Sequence, residues 1–185
     1  TLTVSCVGLT QTNTLTSGTG LVIIGAGAGV ITLTQSNDFR GPVRLTNTGA
    51  FNIAVIDSNT LQLDTVSMSG GSAGQLSITS TGAITQNGAT TITTGTGIVT
   101  INAGAGAITL TNSNDFNGAV SLTNTGANNV QITDTTGLTL GTLSVASGNL
   151  TVISTGALNL GSGSVGGNLS ATSNGYAISQ TGGLT

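Results

Sequence analysis

The feature that most constrains this chain is a repeat of its own sequence. The segment 31–68 aligns without a gap on the segment 108–145, at an offset of 77 in the numbering (108 − 31), and 22 of the 38 aligned pairs are identical. The match is densest in the pattern SNDF-x-G-x-V-x-LTNTGA-x-N, which starts at Ser36 and again at Ser113. Self-similarity at a fixed period is typical of a chain built from stacked structural units, such as a solenoid.

A shorter period lies inside the long one and is carried by pairs of apolar residues separated by one polar residue. Val130 and Leu150 begin two such triplets, and so do Leu138 and Leu158, in both cases at a numbering difference of 20. This alternation predicts strands with one buried face, and the Thr-Gly, Asn-Gly and Gly-Gly pairs between triplets predict tight turns. We therefore predict an all-β fold, a single-stranded right-handed parallel β-helix of roughly nine coils of about 20 residues, with about four coils in each 77-residue super-repeat.

The repeat pattern also predicts the domain organisation. Residues 1–185 are expected to form one continuous solenoid segment, with super-repeat copies approximately at 11–85 and 86–179. After Met68 the offset falls from 77 to 74, because three extra residues precede Leu76 relative to the second copy. Insertions of this kind are expected in loops.

The two ends of the chain resemble each other. The segment 11–16 reads QTNTLT and the segment 180–185 reads QTGGLT, so the last residues look like the start of another repeat. An open solenoid end exposes unpaired strand edges, which natural solenoids protect with polar caps. Neither end resembles such a cap, so we expect a slice of a longer array or a subunit that stacks end to end.

The composition argues against several classes of function. The chain has no His, its two basic residues are both Arg, and its five acidic residues are all Asp. General acid–base and metal chemistry depend largely on the missing side chains, so we expect no enzyme activity, no cofactor and no metal site. A net charge of −3 offers no basic surface for nucleic acid. The longest run of large apolar residues, 21–24, is too short for a membrane span.

The SNDF pattern, followed in the second copy by the segment 138–142 (LTLGT), resembles the repeat region of very large filamentous-haemagglutinin-like exoproteins of Gram-negative bacteria, the two-partner-secretion type. The resemblance covers most of the chain. It implies a right-handed parallel β-helix, export through an outer-membrane partner, and service as an adhesin or extracellular filament. The amino-terminal secretion domain of that family has no counterpart in this sequence, so the secretion route is implied by the resemblance alone.

The repeat signature is interpreted as structural. Its residues are Asn37, Asp38, Phe39, Asn47 and Gly49 in the first copy and Asn114, Asp115, Phe116, Asn124 and Gly126 in the second. The signature Asp residues, and the matching Asp57 and Asp134, are expected to cap N–H groups of turns. These Asp residues are copied together with the rest of the repeat, as structural residues are, whereas catalytic sites are rarely duplicated in this way. The repeat therefore favours the capping role over catalysis. Phe39 and Phe116 lie about four coils apart on this prediction, so they are expected to fill a corner of the core.

Three further residues are conspicuous. Arg40 and Arg44 are replaced by Asn117 and Ser121 in the second copy, and they predict a local positive spot if they flank one strand. Cys6 cannot form an internal disulfide, because it is the one Cys of the chain. The Gly- and Ala-rich tracts at 25–29 and 103–106 lack the Lys of a phosphate loop and are predicted to be tight corners.

These observations predict a non-catalytic structural rod of a secreted or cell-surface bacterial adhesin or filament. The alternative is a self-assembling extracellular filament subunit that stacks end to end; a glycan-binding or an ice-binding β-solenoid ranks lower. The expected partners are other copies or continuing repeats of the same chain through the solenoid ends, with host or cell-surface glycans or proteins as further candidates. A groove that gathers non-equivalent Asp and Arg residues would favour the glycan-binding alternative.

Ice binding requires a Thr-x-Thr pair on the same face of every coil. The pairs that start at Thr91, Thr109, Thr123 and Thr133 follow one another at intervals of 18, 14 and 10 in the numbering. Because these intervals do not match one coil length, the pairs do not hold one face. The abundance of Thr instead fits its general preference for strands.

Overall fold

The computed structural model describes residues 1–69 and 73–185, which form a parallel β-solenoid. About eight turns follow one another about 21 residues apart, and the described residues contain no helix. The predicted all-β solenoid is therefore confirmed, with slightly longer and fewer turns than the nine expected. The predicted loop insertion after Met68 includes residues 70–72, which lie outside the described residues.

Strands of two to nine residues alternate with short turns throughout the described chain. They are β1 Leu2–Ser5, β2 Leu9–Thr10, β3 Thr16–Ser17, β4 Val22–Gly25, β5 Ile31–Phe39, β6 Val43–Thr48, β7 Ile53–Asp57, β8 Leu61–Ser69, β9 Leu76–Ser80, β10 Ile84–Gln86, β11 Ile92–Thr93, β12 Val99–Asn102, β13 Ile108–Asn114, β14 Val120–Asn124, β15 Val130–Asp134, β16 Leu138–Val145, β17 Leu150–Ser154, β18 Leu158–Asn159, β19 Ser162–Val165, β20 Leu169–Thr172 and β21 Ile178–Ser179. Since these elements are all strands, the described residues form no helix that could cross a membrane.

Most strands of the inner turns pair in parallel with strands one turn before and one turn after them. The strands group into a 10-stranded sheet, which runs from β1 to β20, and an 11-stranded sheet, which runs from β2 to β21. Val130 lies opposite Leu150 and Leu138 lies opposite Leu158, so the apolar triplets that recur with the short period are direct partners in the ladder. The short period read from the sequence is thus the length of one turn.

The longest strands turn a corner of the solenoid. In β8 the residues from Leu61 pair with β10, whereas Val66 and Ser67 pair with β11. The alternation of burial shifts at this point, since Leu63 and Asp64 are both buried. The strands β5 and β16 likewise use their two halves to pair with different neighbours. Each turn therefore has three strand-bearing sides rather than two.

The core is a set of apolar ladders parallel to the rod axis. Ile31, Ile53, Leu76, Val99 and Val120 are successive partners on one side, and each is at most 1% exposed. Thr, Ser and Asn occupy most of the alternate, outward positions, with Ala54 and Ile56 on β7 as exceptions. β-branched residues fit such a pleated and half-buried surface, and the inward side chains leave water as each turn is added.

The long repeat is not a whole number of turns. The pairings that start at Ile31 pass through Ile53 and Leu76 and complete three turns at Val99, which is still 108 − 99 = 9 positions before Ile108. Ile31 accordingly lies in the 11-stranded sheet, whereas Ile108 lies in the 10-stranded sheet. Each super-repeat copy, expected to hold about four coils, spans three turns and one further side, so equivalent residues of the two copies face different directions.

The Gly- and Ala-rich tracts form the tight corners that the sequence predicts. Gly27 has a φ of +49° and its counterpart Gly104 has a φ of +51°. Residues with a side chain avoid this region of φ, so Gly permits the chain to turn there. Ala26 and Ala103 precede these glycines and are completely buried.

Candidate functional site

The SNDF segment lies at a corner of the solenoid, and its residues point alternately inward and outward. Asn37 and Phe39 are at most 1% exposed, whereas the Asp38 side chain between them is 23% exposed. In the second copy, Asn114 and Phe116 are equally buried. The two Phe rings fill the core, as predicted, and are not available as a platform for sugar stacking.

The side chain of Asn37 fastens this corner to the turns on either side of it. Its amide donates to the carbonyls of Leu33 at 3.1 Å and Ile56 at 2.9 Å. Its Oδ1 accepts from the N–H of Leu15 at 2.9 Å and from the amide of Gln11 at 2.5 Å. A buried amide with its donors and its acceptor all engaged stabilises one corner geometry.

The second copy contains the same clasp. The amide of Asn114 donates to the carbonyls of Leu110 and Thr133, and its Oδ1 accepts from the N–H of Ile92 at 3.0 Å and from Gln86 at 2.8 Å. Sequence analysis identified the Asn but missed the Gln, because the two Gln residues are 75 rather than 77 positions apart. The signal that could have found them is their shared place, four and six positions before the apolar residue whose N–H bonds the Asn.

Asn47 and Asn124 close two further corners from the inside. Both are completely buried. Asn47 donates to the carbonyl of Phe51 at 2.6 Å. Asn124 donates to the carbonyl of Gly106 on the preceding turn and accepts from the N–H of Gly126 at 2.9 Å. Gly49 has a φ of +148°, which explains why a Gly stands at this corner.

Asp57 and Asp134 are buried members of polar ladders at the corners. Asp57 lies between Asn37 and Ser80 in the strand register, and Asp134 lies between Asn114 and Ser154. All of these side chains are at most 1% exposed. The carboxylates therefore face the interior and accept hydrogen bonds from turn N–H groups, which agrees with the predicted capping role.

The two buried carboxylates differ in how completely they are bonded. Asp134 accepts from the N–H of Phe116 at 2.7 Å and from both the N–H and the hydroxyl of Thr136. Asp57 accepts from the N–H of Phe39 at 3.4 Å, but its Oδ2 makes no hydrogen bond to any described residue. Burial raises the pKa of Asp57, and backbone N–H bonds oppose that rise only partly.

The charged residues of the first copy pair with one another on the outside of the rod. Arg40 contacts Asp38 at 2.7 Å, and Arg44 contacts Asp64 at 2.7 Å on the next turn. The hydrogen bond from Arg40 lowers the pKa of Asp38. Since each guanidinium is neutralised by a carboxylate, the prediction of a local positive spot is wrong.

Asp64 is the most buried member of these pairs, with 5% of its side chain exposed. Burial by itself would raise its pKa, but hydrogen bonds from the N–H of Thr65, from Asn87 and from Arg44 lower it overall. Arg44 is on β6, Asp64 is on β8 and Asn87 follows β10. The three side chains therefore join three successive turns at one edge, which we call the Arg44 staple.

A shallow groove of about 520 Å³ opens beside the Asp38–Arg40 pair. Its polar lining consists of Asp38, Arg40, Asn59, Thr60, Gln62 and Thr85. We call it the SNDF groove. It brings together one Asp that the repeat duplicates and one Arg that it does not.

The second copy lacks the Arg44 staple and has a different depression in its place. The equivalents of Arg44 and Asp64 are Ser121 and Gly141, and Asn87 corresponds to Gly161 at the offset of 74. These small residues lie along a second groove that Ile98, 53% exposed, also lines. The two copies thus share a core but differ in their outer chemistry.

The described residues offer little other chemistry. No three Asp or Cys side chains among them converge on a point where a metal ion could be held. Cys6 is a free, half-buried thiol whose Sγ lies 3.9 Å from the carbonyl oxygen of Gly25. The expected lack of metal, cofactor and catalysis stays a prediction.

A family model described as repeats of unknown function (DUF5649) matches the chain at residues 1–46, 48–123, 127–158 and 147–185. These matches together cover nearly the whole chain. Neither the curated proteins nor the solved structures include one that matches it.

Proposed function

The chain belongs to the family of repeats of unknown function (DUF5649), and from this premise we propose that it serves as a structural rod. The rod would be a non-catalytic length of solenoid in a secreted or cell-surface adhesin or filament of a Gram-negative bacterium. Its task would be to hold other parts of the molecule or assembly at a distance from the cell. The surface location follows from the resemblance of the SNDF repeat to haemagglutinin-like exoproteins.

The observation that carries this proposal is the continuity of the core. The buried ladder on one side passes from Ile31 to Val120 through every intervening turn, with no member more than 1% exposed. In a stack of this kind each turn contacts mainly its neighbours, so stability grows with each added turn and length is not limited by the volume of a core. Such an architecture suits a spacer.

Antibodies raised against the folded chain would test the surface location. Intact cells of the source organism and permeabilised cells are labelled with gold-conjugated antibody and viewed by electron microscopy. We expect labelling on intact cells, along fibres that extend from the surface. Labelling that requires permeabilisation would contradict the proposal.

An immunoblot of the same material separates the stalk from an assembled filament. A stalk predicts that the labelled polypeptide is far larger than 185 residues. A short polypeptide in long fibres would instead support end-to-end assembly.

End-to-end assembly is the second candidate, and the outer turns of the solenoid favour it. Leu2 on β1, Leu169 on β20 and Ile178 on β21 are 37%, 38% and 47% exposed, although the matching residues of inner turns are buried. Unpaired strand edges with apolar neighbours recruit further strands.

Sedimentation of the isolated chain over a range of concentrations tests this candidate. Assembly should be lost in the variant Leu169→Arg/Ile178→Arg. The control Ile98→Arg, at a 53% exposed position on the length of the rod, should assemble as wild type does. A chain that stays monomeric at every concentration would eliminate self-assembly.

A further inference from the structure

We propose that the SNDF groove is a binding site for uncharged carbohydrate. The groove runs along the rod axis over three successive turns. Asp38 and Arg40 lie on the first of these turns, Gln62 lies on the second, and Thr85, its register partner, lies on the third. Neighbouring turns are about 4.8 Å apart, so an extended chain of sugar rings laid along the groove meets polar groups at each step.

Three polar groups of the groove, those of Asp38, Arg40 and Asn59, are held in place by hydrogen bonds. The Asp38 carboxylate accepts from Arg40 through one oxygen and from the Asn59 amide at 2.6 Å through the other. Both partners are thereby oriented before any ligand arrives. Preorganised polar groups bind a ligand with a smaller loss of conformational entropy than mobile ones.

Several hydrogen-bonding atoms of the groove remain available to a ligand. Arg40 uses Nε and one terminal nitrogen on Asp38, and its side chain is 61% exposed. The amide of Gln62 makes no hydrogen bond to any described residue, and the hydroxyls of Thr60 and Thr85 line the same groove. Guanidinium, amide and hydroxyl groups together offer both donors and acceptors, as the hydroxyls of a sugar require.

The charge of the groove selects against ionic ligands. Arg40 and Asp38 form a neutral pair, and Asp38 remains ionised because its hydrogen bonds lower its pKa. An anion would meet the carboxylate, whereas a cation would meet the guanidinium. Uncharged polyols fit both groups without a charge that must lose its hydration.

The second copy shows that the fold does not need these groups. Arg40 corresponds to Asn117, whose amide turns back to the carbonyl of Thr94 at 2.9 Å. Gln62 corresponds to Thr139, and Thr85 corresponds to Asn159, whose Oδ1 already accepts from the N–H of Gly161 at 2.9 Å. The same corner is therefore built from different side chains in the second copy, which separates binding from folding.

Nuclear magnetic resonance of the intact 185-residue chain tests the proposal. Amide resonances of the ¹⁵N-labelled protein are followed during titration with maltotriose, cellotriose, mannotriose and chitotriose, and with trigalacturonate as the acidic comparison. A shallow site predicts a Kd on the order of 1 mM. We expect at least one of the uncharged sugars to shift resonances of residues 38–41, 59–62 and 85, while trigalacturonate shifts none of them.

Two variants make the test specific. Arg40→Asn/Gln62→Thr installs the residues of the second copy, so it should fold like wild type. Its Kd for the sugar should be higher by a factor of about ten or more. Arg44→Ser changes a neighbouring Arg outside the groove and should bind as wild type does. Circular dichroism and the unshifted resonances establish that each variant is folded.

Three results would overturn the proposal. One is the lack of any shift with all four uncharged sugars at about 10 mM. Another is a titration that Arg40→Asn/Gln62→Thr leaves unchanged. The third is binding of trigalacturonate alone, which would show that the groove recognises a carboxylate and not a polyol.

Discussion

At the scale of single residues, polar side chains inside the core and glycines at its corners determine where the chain turns. Asn37 and Asn114 use their whole amide group to hold one corner each, with distances that agree closely between copies. Burial of an unbonded amide would be costly, so these residues specify a corner instead of merely tolerating one. Some glycines, such as Gly97 and Gly118, act by their small size, because backbone atoms of successive turns are in direct contact there.

Replacing Gly118 with Ala should destabilise the protein. A Cβ at this position would lie 1.8 Å from the carbonyl oxygen of Gly97 on the preceding turn, so the backbone must shift. We expect a loss of about 1–3 kcal/mol in the free energy of unfolding, as for other overpacked sites, measured with urea. Gly25→Ala is the matched control, since a Cβ there meets nothing within 4 Å. Equal stability of the two variants would show that the corners have room.

Asp57 should make stability fall as pH rises. Burial raises its folded-state pKa above the ordinary value of 3.8, so the folded protein binds this proton more tightly than the unfolded chain. The resulting stabilisation is fully present below pH 3.8 and is lost as pH rises through the folded pKa. The free energy of unfolding of wild type minus that of Asp57→Asn should therefore decrease over this window.

Asp64 provides the control of opposite sign for that titration. Its hydrogen bonds lower the folded-state pKa, so its stabilisation is present above pH 3.8 and is lost as pH falls through the lowered value. The free energy of unfolding of wild type minus that of Asp64→Asn should increase with pH in that acidic range. A pH-independent difference for Asp57→Asn would mean that its carboxyl is as well solvated as in the unfolded chain.

At the scale of elements, short strands keep their register because both neighbours impose it. An isolated strand of four or five residues has no stability of its own, but here most strands of the inner turns are bonded on both edges and bury alternate side chains. The Arg44 staple adds a side-chain link between β6, β8 and the turn after β10. The second copy, with Ser121 and Gly141, shows that the strands also pair without it.

Arg44→Ser should cost about 1 kcal/mol, because Asp64 stays buried and loses its cation. The double variant Arg44→Ser/Asp64→Gly, which carries the residues of the second copy, should recover part of that loss. Urea unfolding of the two single variants and the double variant gives the coupling between Arg44 and Asp64. Strictly additive losses would show that the ion pair contributes nothing to holding β6 against β8.

At the scale of the whole molecule, the protein is a one-dimensional stack. About eight turns at a spacing of about 4.8 Å give a described rod of about 38 Å. Because contacts join mainly adjacent turns, local stability depends on position along the axis. The inner turns have neighbours on both sides, whereas β1 and β21 have one.

Hydrogen exchange should follow this order. We expect the amides of β9, β12 and β14 to exchange slowest and those of β1, β20 and β21 to exchange fastest, since opening propagates inward from the ends. Mass spectrometry of peptides from the exchanged protein measures the difference. Uniform protection from end to end would indicate all-or-none unfolding or occupied end surfaces.

The sequence by itself determined the repeating unit of this protein. The apolar-x-apolar triplets predicted the strands, and the spacing from Val130 to Leu150 is the register of the ladder itself. This was possible because a solenoid makes its contacts at a nearly fixed separation along the chain. Residues that contact each other in the folded protein therefore recur at that separation in the sequence. The burial of Phe39 and Phe116 was also predicted, because the long repeat places the two rings several turns apart and so excludes a shared surface platform.

Tertiary structure alone decided which side each residue faces and what it meets there. The long period does not reveal that a copy ends one side beyond three turns, because strands and corners vary in length. The Asp38–Asn59 hydrogen bond, the Arg44 staple and the Gln11–Asn37 clasp each join residues on different turns, whose proximity depends on those lengths. The core residues recur at the length of one turn, so the sequence reveals them. The contacts between surface side chains depend on which side of the solenoid each residue faces, and only the tertiary structure shows that.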